Sequence, residues 1–283
     1  MERDKPMIKF REKFMGAVFF ASALASVFAV GLICVFLFSN GIPAMGKIGL
    51  FDFLLGIEWS PGDTPPVFGI FPMIMGSLYV TAGAIIIGVP IGVLTAVFLA
   101  RTCPNKLYKF IKPGVELLAG IPSVVYGFFG MAAIIPITGN SILSACILLG
   151  IMILPTVIGI AESALRAVPE SYYEGALALG AGHYRSVYKV VLPAAKSGIS
   201  AAVVLGIGRA IGETMAVIMV AGNQARMPVS IFKGVRTLTA NIVIEMGYAA
   251  ELHREALIAT GVVLFVFILI INLNFSALKG RVK

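Results

Sequence analysis

The chain has 283 residues, 59% of them hydrophobic and 13% charged, with a formal charge of +8 and a mean hydropathy of +0.97. That composition excludes disorder, collagen and coiled coil, because charged residues are too few and large apolar residues too many, and it describes a membrane protein. Cys34, Cys103 and Cys146 lie in or beside apolar stretches with no CxxC spacing, so a disulfide scaffold is excluded and they read as small buried hydrophobes.

About 20 apolar residues cross the hydrocarbon, and a central Lys, Arg or Asp costs about 2.5–3.5 kcal/mol, so runs without charge mark the crossings. In chain order they predict spans near 17–38, 73–100, 115–135, 142–163, 197–222 and 256–278. The third and fourth form one overlong run, divided by the turn-forming Pro136-Ile137-Thr138-Gly139-Asn140-Ser141. The fifth is apolar except for Arg209 and Glu213. Six crossings put both termini on one side. Sixteen Lys and Arg fall in 1–16, 101–112, 166–196 and 279–283, against five in 40–71 and 223–255, which predicts cytoplasmic termini. The basic balance is therefore mostly topological, and nucleic acid is not an expected partner. The 22-residue first apolar run is longer than a secretory signal and reads as an uncleaved anchor. Residues 40–71, rich in Gly and Pro, read as an outer loop with Trp59 as an interfacial aromatic.

Catalytic constellations are scarce. Gly41 to Ile48 fits GxxxxGK, but Ile48 stands where the magnesium-binding hydroxyl belongs and no strand precedes it. His183 and His253 are isolated, and neither HExxH nor GxSxG occurs. The chain is expected not to be an enzyme, and energy for any pumping must come from a partner or an ion gradient.

The cytoplasmic stretch 166–196 is too ordered for a linker. Pro169 and Glu170 suit a helix start, Ala and Leu its body, and Gly180-Ala181-Gly182 its stop; a second helix then runs from His183 to Val191, before Pro193. Two short helices would make a knob with Tyr172, Tyr173, Leu177, Val187 and Val191 as apolar surface, suited to a groove on another protein or, alternatively, to lipid headgroups. Glu174-Gly175-Ala176, then Gly180, Val190, Leu192 and Pro193, resemble the EAA loop of ABC importer permeases, with Gly175 and Val190 departing from that pattern. The resemblance implies that the knob is a coupling helix seated in a cleft of a cytoplasmic ATP-binding subunit.

In the fifth span Arg209 and Glu213 stand four residues apart, so on a continuous helix they share a face. Ionised groups at that depth normally pair and face a bundle interior or a wet cavity. They are read either as a structural ion pair that pins helix register or as the lining of an anion pathway, because a guanidinium fork matches tetrahedral oxyanions. Gly206, Gly208 and Gly212 give a neighbouring backbone room to approach. Pro122 interrupts the third span, either as a packing kink or to place Ser123 and Tyr126 beside the pathway.

Residues 208–217 (GRAIGETMAV), 120–127 (GIPSVVYG), and 236–242 (RTLTANI) with 245–248 (EMGY) resemble phosphate ABC importer permeases of the PstC type. The resemblance covers about residues 69–275. It implies an all-α, polytopic type I importer permease with six transmembrane helices, in which Arg209, Glu213, Thr214, Ser123 and Tyr126 line the substrate pathway. It further implies a PstA-like permease partner, two ATPase subunits and an extracytoplasmic phosphate-binding protein, in a bacterial or archaeal inner membrane. ATP and magnesium would bind the ATPase and no cofactor this chain. The expected divisions are a cytoplasmic segment 1–16, the first helix and outer loop 17–70, a permease core 71–278 and a cytoplasmic tail 279–283. The alternatives are the sister PstA-type subunit, a permease for another oxyanion such as molybdate or sulfate, an ion-coupled secondary transporter and a structural scaffold.

Overall fold

A computed structural model describes the backbone of residues 5–280 and the side chains of 11–273, so the extreme ends of the segments 1–16 and 279–283 lie outside the described residues. The elements in chain order are α1 (Lys5–Ile48), α2 (Leu50–Leu55), β1 (Trp59–Ser60), β2 (Val67–Phe68), α3 (Phe71–Val97), α4 (Asn105–Gly120), α5 (Ser123–Phe129), α6 (Ile135–Thr138) and α7 (Ile142–Arg166). They continue as α8 (Glu170–Ala178), α9 (His183–Ser186), α10 (Leu192–Ala194), α11 (Lys196–Gly212), α12 (Met215–Val220), α13 (Leu238–Glu245) and α14 (Glu251–Gly280). Wide π-helical turns at Phe98–Thr102, Gly130–Ile134 and Val187–Val191 join several of these. The fold is all-α apart from a two-stranded antiparallel hairpin pairing Trp59 with Phe68 and Ser60 with Val67.

Among the described residues four helices are long and apolar enough to cross a membrane: Arg11–Ile48, Phe71–Thr102, Ile142–Arg166 and Glu251–Leu273. Two bent pairs bring the total to six if each is one crossing: Asn105–Gly120 with Ser123–Thr138, at 102°, and His183–Ala194 with Lys196–Gly212, at 69°.

The structure departs from the sequence expectations at several places, and of the three cysteines only Cys146 is buried, Cys34 and Cys103 being half-buried at the surface of their helices and turns. The third crossing is not a continuous helix near 115–135: Ile121 and Pro122 are extended (ψ 126° and 144°), so α4 ends and α5 starts in a new direction. The fifth, placed at 197–222, breaks at Glu213. The first helix continues past residue 38 to Ile48, carrying Pro43 within it. Trp59 is buried rather than interfacial, and its Nε1 donates to Glu245 at 2.8 Å. Val187 and Val191 are buried rather than on the knob surface, filling the gap between the knob and the ends of α3 and α7.

Three apolar clusters stack through the molecule. The middle one packs Val80 and Ala84 of α3 against Leu148, Leu149 and Met152 of α7 and Val217 of α12. A Cβ on Gly88 would come within 2.6 Å of the Gly150 carbonyl, so glycine is what lets α3 and α7 approach. The outer cluster joins Phe53, Trp59, Phe68, Leu238 and Leu257. Beside it Glu245 accepts from Trp59, His253 and Arg236. Burial, then the Glu245 charge, push the nearby Tyr248 phenol above its ordinary range. The inner cluster joins Val97, Leu165 and Val168 to Val187 and Val191 of the knob. The GxxxxGK-like stretch lies inside α1, where Gly41 faces α14 with a would-be Cβ 2.5 Å from Val262. Its glycine is explained by packing.

Candidate translocation site

Two broken helices meet in the middle of the fold, since α5 packs on α12. The contact is close: a Cβ on Gly127 would come within 2.2 Å of the Met219 sulfur. α11 stops at Gly212, Glu213 is extended (φ −70°, ψ 129°), and α12 restarts at Met215. The expected face-sharing Arg209–Glu213 pair therefore does not form. Glu213 Oε1 instead accepts from the amides of Thr214 (3.2 Å) and Ala216 (3.4 Å), capping α12 at its electropositive end. Thr214 Oγ1 donates to the Gly212 carbonyl at 3.2 Å, and Thr239 Oγ1, from α13, donates to the Glu213 carbonyl at 3.3 Å. The break is thus held from its own ends and from the outer segment.

Arg209 lies in the last turn of α11, exposed on this single subunit, and makes no hydrogen bond or ion pair among the described residues. Its chain neighbour Ala210 packs in the same buried cluster as Tyr126, so the structure brings the α11 end and the start of α5 together. Tyr126 is buried at 5% exposure, and its hydroxyl donates to the Leu118 carbonyl at 2.8 Å, bridging the α4–α5 elbow. Ser123 is half-buried at the start of α5. An open depression of about 620 Å³ beside the elbow is lined by Pro113, Glu116, Leu117, Pro122 and Val125. Arg209 is thus an exposed cation one turn before the helix break, without a counter-ion among the described residues.

On the knob Glu174 and Gly175 are exposed, Ala176 is buried, and Gly180 turns the chain at φ +83°, a conformation glycine adopts without strain. Val190 and Leu192 are half-buried and Pro193 is exposed. Tyr172, Leu179 and Tyr184 stand out at 53%, 91% and 67% exposure, an apolar surface left open by the described residues. The knob is fastened from behind. Arg101 pairs with Glu170 at 2.6 Å and donates to the carbonyls of Leu165 and Val168. Tyr173 and His183 hydrogen-bond at 2.7 Å.

Glu162, near the end of α7, holds a buried carboxylate that accepts from Tyr108 (2.8 Å), Lys112 (2.9 Å) and Arg166 (2.9 Å). Arg166 also donates to the Leu99 carbonyl, tying α7 to the end of α3. The i,i+4 spacing of Glu162 and Arg166 hints at one bond. Nothing in the sequence pairs them with residues 50 positions earlier.

These features describe a multi-pass membrane protein with a compact helical knob at one end. Residues 88–283 match the family of binding-protein-dependent transport system inner membrane components, and the chain belongs to that family. It is 39% identical to the probable ABC transporter permease protein YqgH of Bacillus subtilis, covering 93% of this chain and 89% of that one. It is 33% identical to the phosphate transport system permease protein PstC of Mesorhizobium japonicum (89% and 84% covered). It is 30% identical to the probable PstC of Methanocaldococcus jannaschii (88% and 89%). Among solved structures, an inward-facing MetNI methionine ABC transporter superposes with a TM-score of 0.64 at 21% identity, covering 76% of this chain and 96% of that chain. A bacterial ABC transporter that imports alginate also gives 0.64, at 15% identity, with 97% and 99% covered. The fold is the type I importer permease fold, and the chain is an ABC importer permease.

Proposed function

We propose that this chain is the PstC-type half of an ATP-driven importer of inorganic phosphate, paired with a PstA-like permease in a bacterial or archaeal inner membrane with both termini cytoplasmic. The observation that carries this reading is the Arg209 guanidinium, exposed in the last turn before α11 breaks and without a partner among the described residues. An ion kept at that depth without an internal partner is costly unless a passing anion or water meets it. Phosphate-permease relatives at 30–33% identity support phosphate as the anion.

In this account an extracytoplasmic phosphate-binding protein delivers the anion to the outer face. Arg209 holds it by a bidentate fork, with Thr214 and Ser123 as hydroxyl partners. Glu213, held by α12 amides, does not neutralise the guanidinium, so the site stays cationic for its cargo. ATP binding and hydrolysis in the cytoplasmic subunit move the Glu174–Pro193 knob, and the Arg101, Arg166 and Glu162 contacts carry that motion to α3, α4 and α7.

The test is uptake of labelled phosphate into proteoliposomes holding the full complex and the binding protein. Uptake is expected only with ATP inside, and excess sulfate or molybdate is expected not to compete. Uptake under an ion gradient without the ATPase would make the chain a secondary carrier, and strong competition by sulfate or molybdate would reassign the anion.

A further inference from the structure

α4 has no buried residue, yet it is strongly two-faced. Tyr108, Ile111, Lys112, Val115 and Leu118 are the half-buried residues that face the rest of the protein. Around the helix from them come Leu107, Phe110, Gly114 and Leu117, at three- and four-residue spacings that put them on one side. Phe110 is 80% and Leu117 74% exposed. The remaining third carries Lys106, Lys109 and Glu116, all exposed. Glu116 leans 3.6 Å from Lys112, and Lys106 and Lys109 have no counter-ion among the described residues. A helix divided into protein-facing, apolar and cationic thirds suits a boundary where protein, oil and water meet.

Its depth is fixed independently. Tyr108 and Lys112 are fastened to Glu162, in the last turns of α7, beside the knob. α7 has 25 residues, about 37 Å of helix, so Glu162 lies at the edge of the hydrocarbon on the knob's side. The 102° bend then turns α4 across the direction of α5.

From this geometry we propose that α4 lies in the plane of the inner leaflet, with Phe110 and Leu117 among acyl chains and Lys106 and Lys109 on anionic phospholipid headgroups. Charge complementarity selects the occupant: a neutral protein groove would leave both lysines unpaired, whereas the cytoplasmic surface of an anionic bilayer attracts each of them. The inference rests on the knob facing the cytoplasm but not on phosphate being the cargo.

The experiment places a tryptophan at Phe110 (F110W) in the full transporter complex, reconstituted into vesicles containing lipids brominated on their acyl chains; fluorescence is read relative to the unsubstituted complex. Brominated phosphatidylglycerol is expected to quench the new tryptophan strongly, and in mixed vesicles to be preferred over brominated phosphatidylcholine by about tenfold. K106Q/K109Q in the same background is expected to keep the quenching and lose the preference. No quenching by either lipid would overturn the proposal and give the face to a neighbouring subunit, as would loss of the partner permease from purified F110Q complex. Equal quenching by both lipids in the parent would remove the anionic selectivity. The readout needs no transport, so its failure is separate from failure of the phosphate reading.

Discussion

Glu245 is a carboxylate at 5% exposure with donors from three parts of the outer cap: Trp59 of the hairpin, His253 of α14 and Arg236 ahead of α13. Replacing it by Ala would leave Arg236 without its carboxylate, and breaking a buried pair from one side costs about 3–5 kcal/mol. Glu245→Ala is therefore expected to lower the thermal unfolding midpoint of the purified complex sharply. An unchanged midpoint would show that the outer cap does not depend on this hub. Glu213 behaves differently, because its role here is a cap on a short helix. Glu213→Ala is expected to cost about 1 kcal/mol of local stability, visible as faster amide exchange in 214–218 with little change in global unfolding. Uniform protection across those amides would contradict the cap.

At the scale of elements, the apolar crossings were legible because oil tolerates little else: the runs near 73–100 and 142–163 fall within α3 with its wide turn and within α7. The breaks were harder to read. Hydropathy averages across Ile121-Pro122 and Gly212-Glu213, so both crossings looked continuous, and the i,i+4 rule then paired Arg209 with a residue beyond the end of its helix. A Glu two residues before Met215 was the available sign of a new helix start. Trp59 was misplaced for another reason, since its partner Glu245 is 186 residues away. The knob was more readable because proline and glycine punctuate it locally, although the burial of Val187 and Val191 depends on α3 and α7. Two predictions belong here. Gly88→Val is expected to force α3 from α7 and reduce the yield of folded protein in a fluorescence size-exclusion assay, whereas wild-type yield would show that the helices have slack. Glu174→Lys is expected to weaken capture of the ATPase subunit without disturbing the permease pair, and full recovery of the ATPase would remove Glu174 from the interface.

The whole subunit is incomplete as it stands, and its open surfaces say where the rest belongs. No described residue from 11 to 40 of α1 is buried, the knob presents Tyr172, Leu179 and Tyr184, and the Arg209 side of the broken helices faces outward. In the proposed permease pair a pathway between the two subunits would enclose Arg209 from both sides. The packing makes the connection mechanical as well: the knob is pinned to α3 and α7, α7 to α4 through Glu162, and α4 to α5 across the Tyr126–Leu118 bridge. The most direct measurement is ATP-driven phosphate uptake by the complete complex carrying Arg209→Gln, with subunit stoichiometry read on the same preparation. Uptake is expected to fall about a hundredfold, the equivalent of losing a charged hydrogen-bond pair worth about 3 kcal/mol, while the subunits co-purify in unchanged ratio. Wild-type uptake by that variant would contradict an oxyanion path at the α11 break.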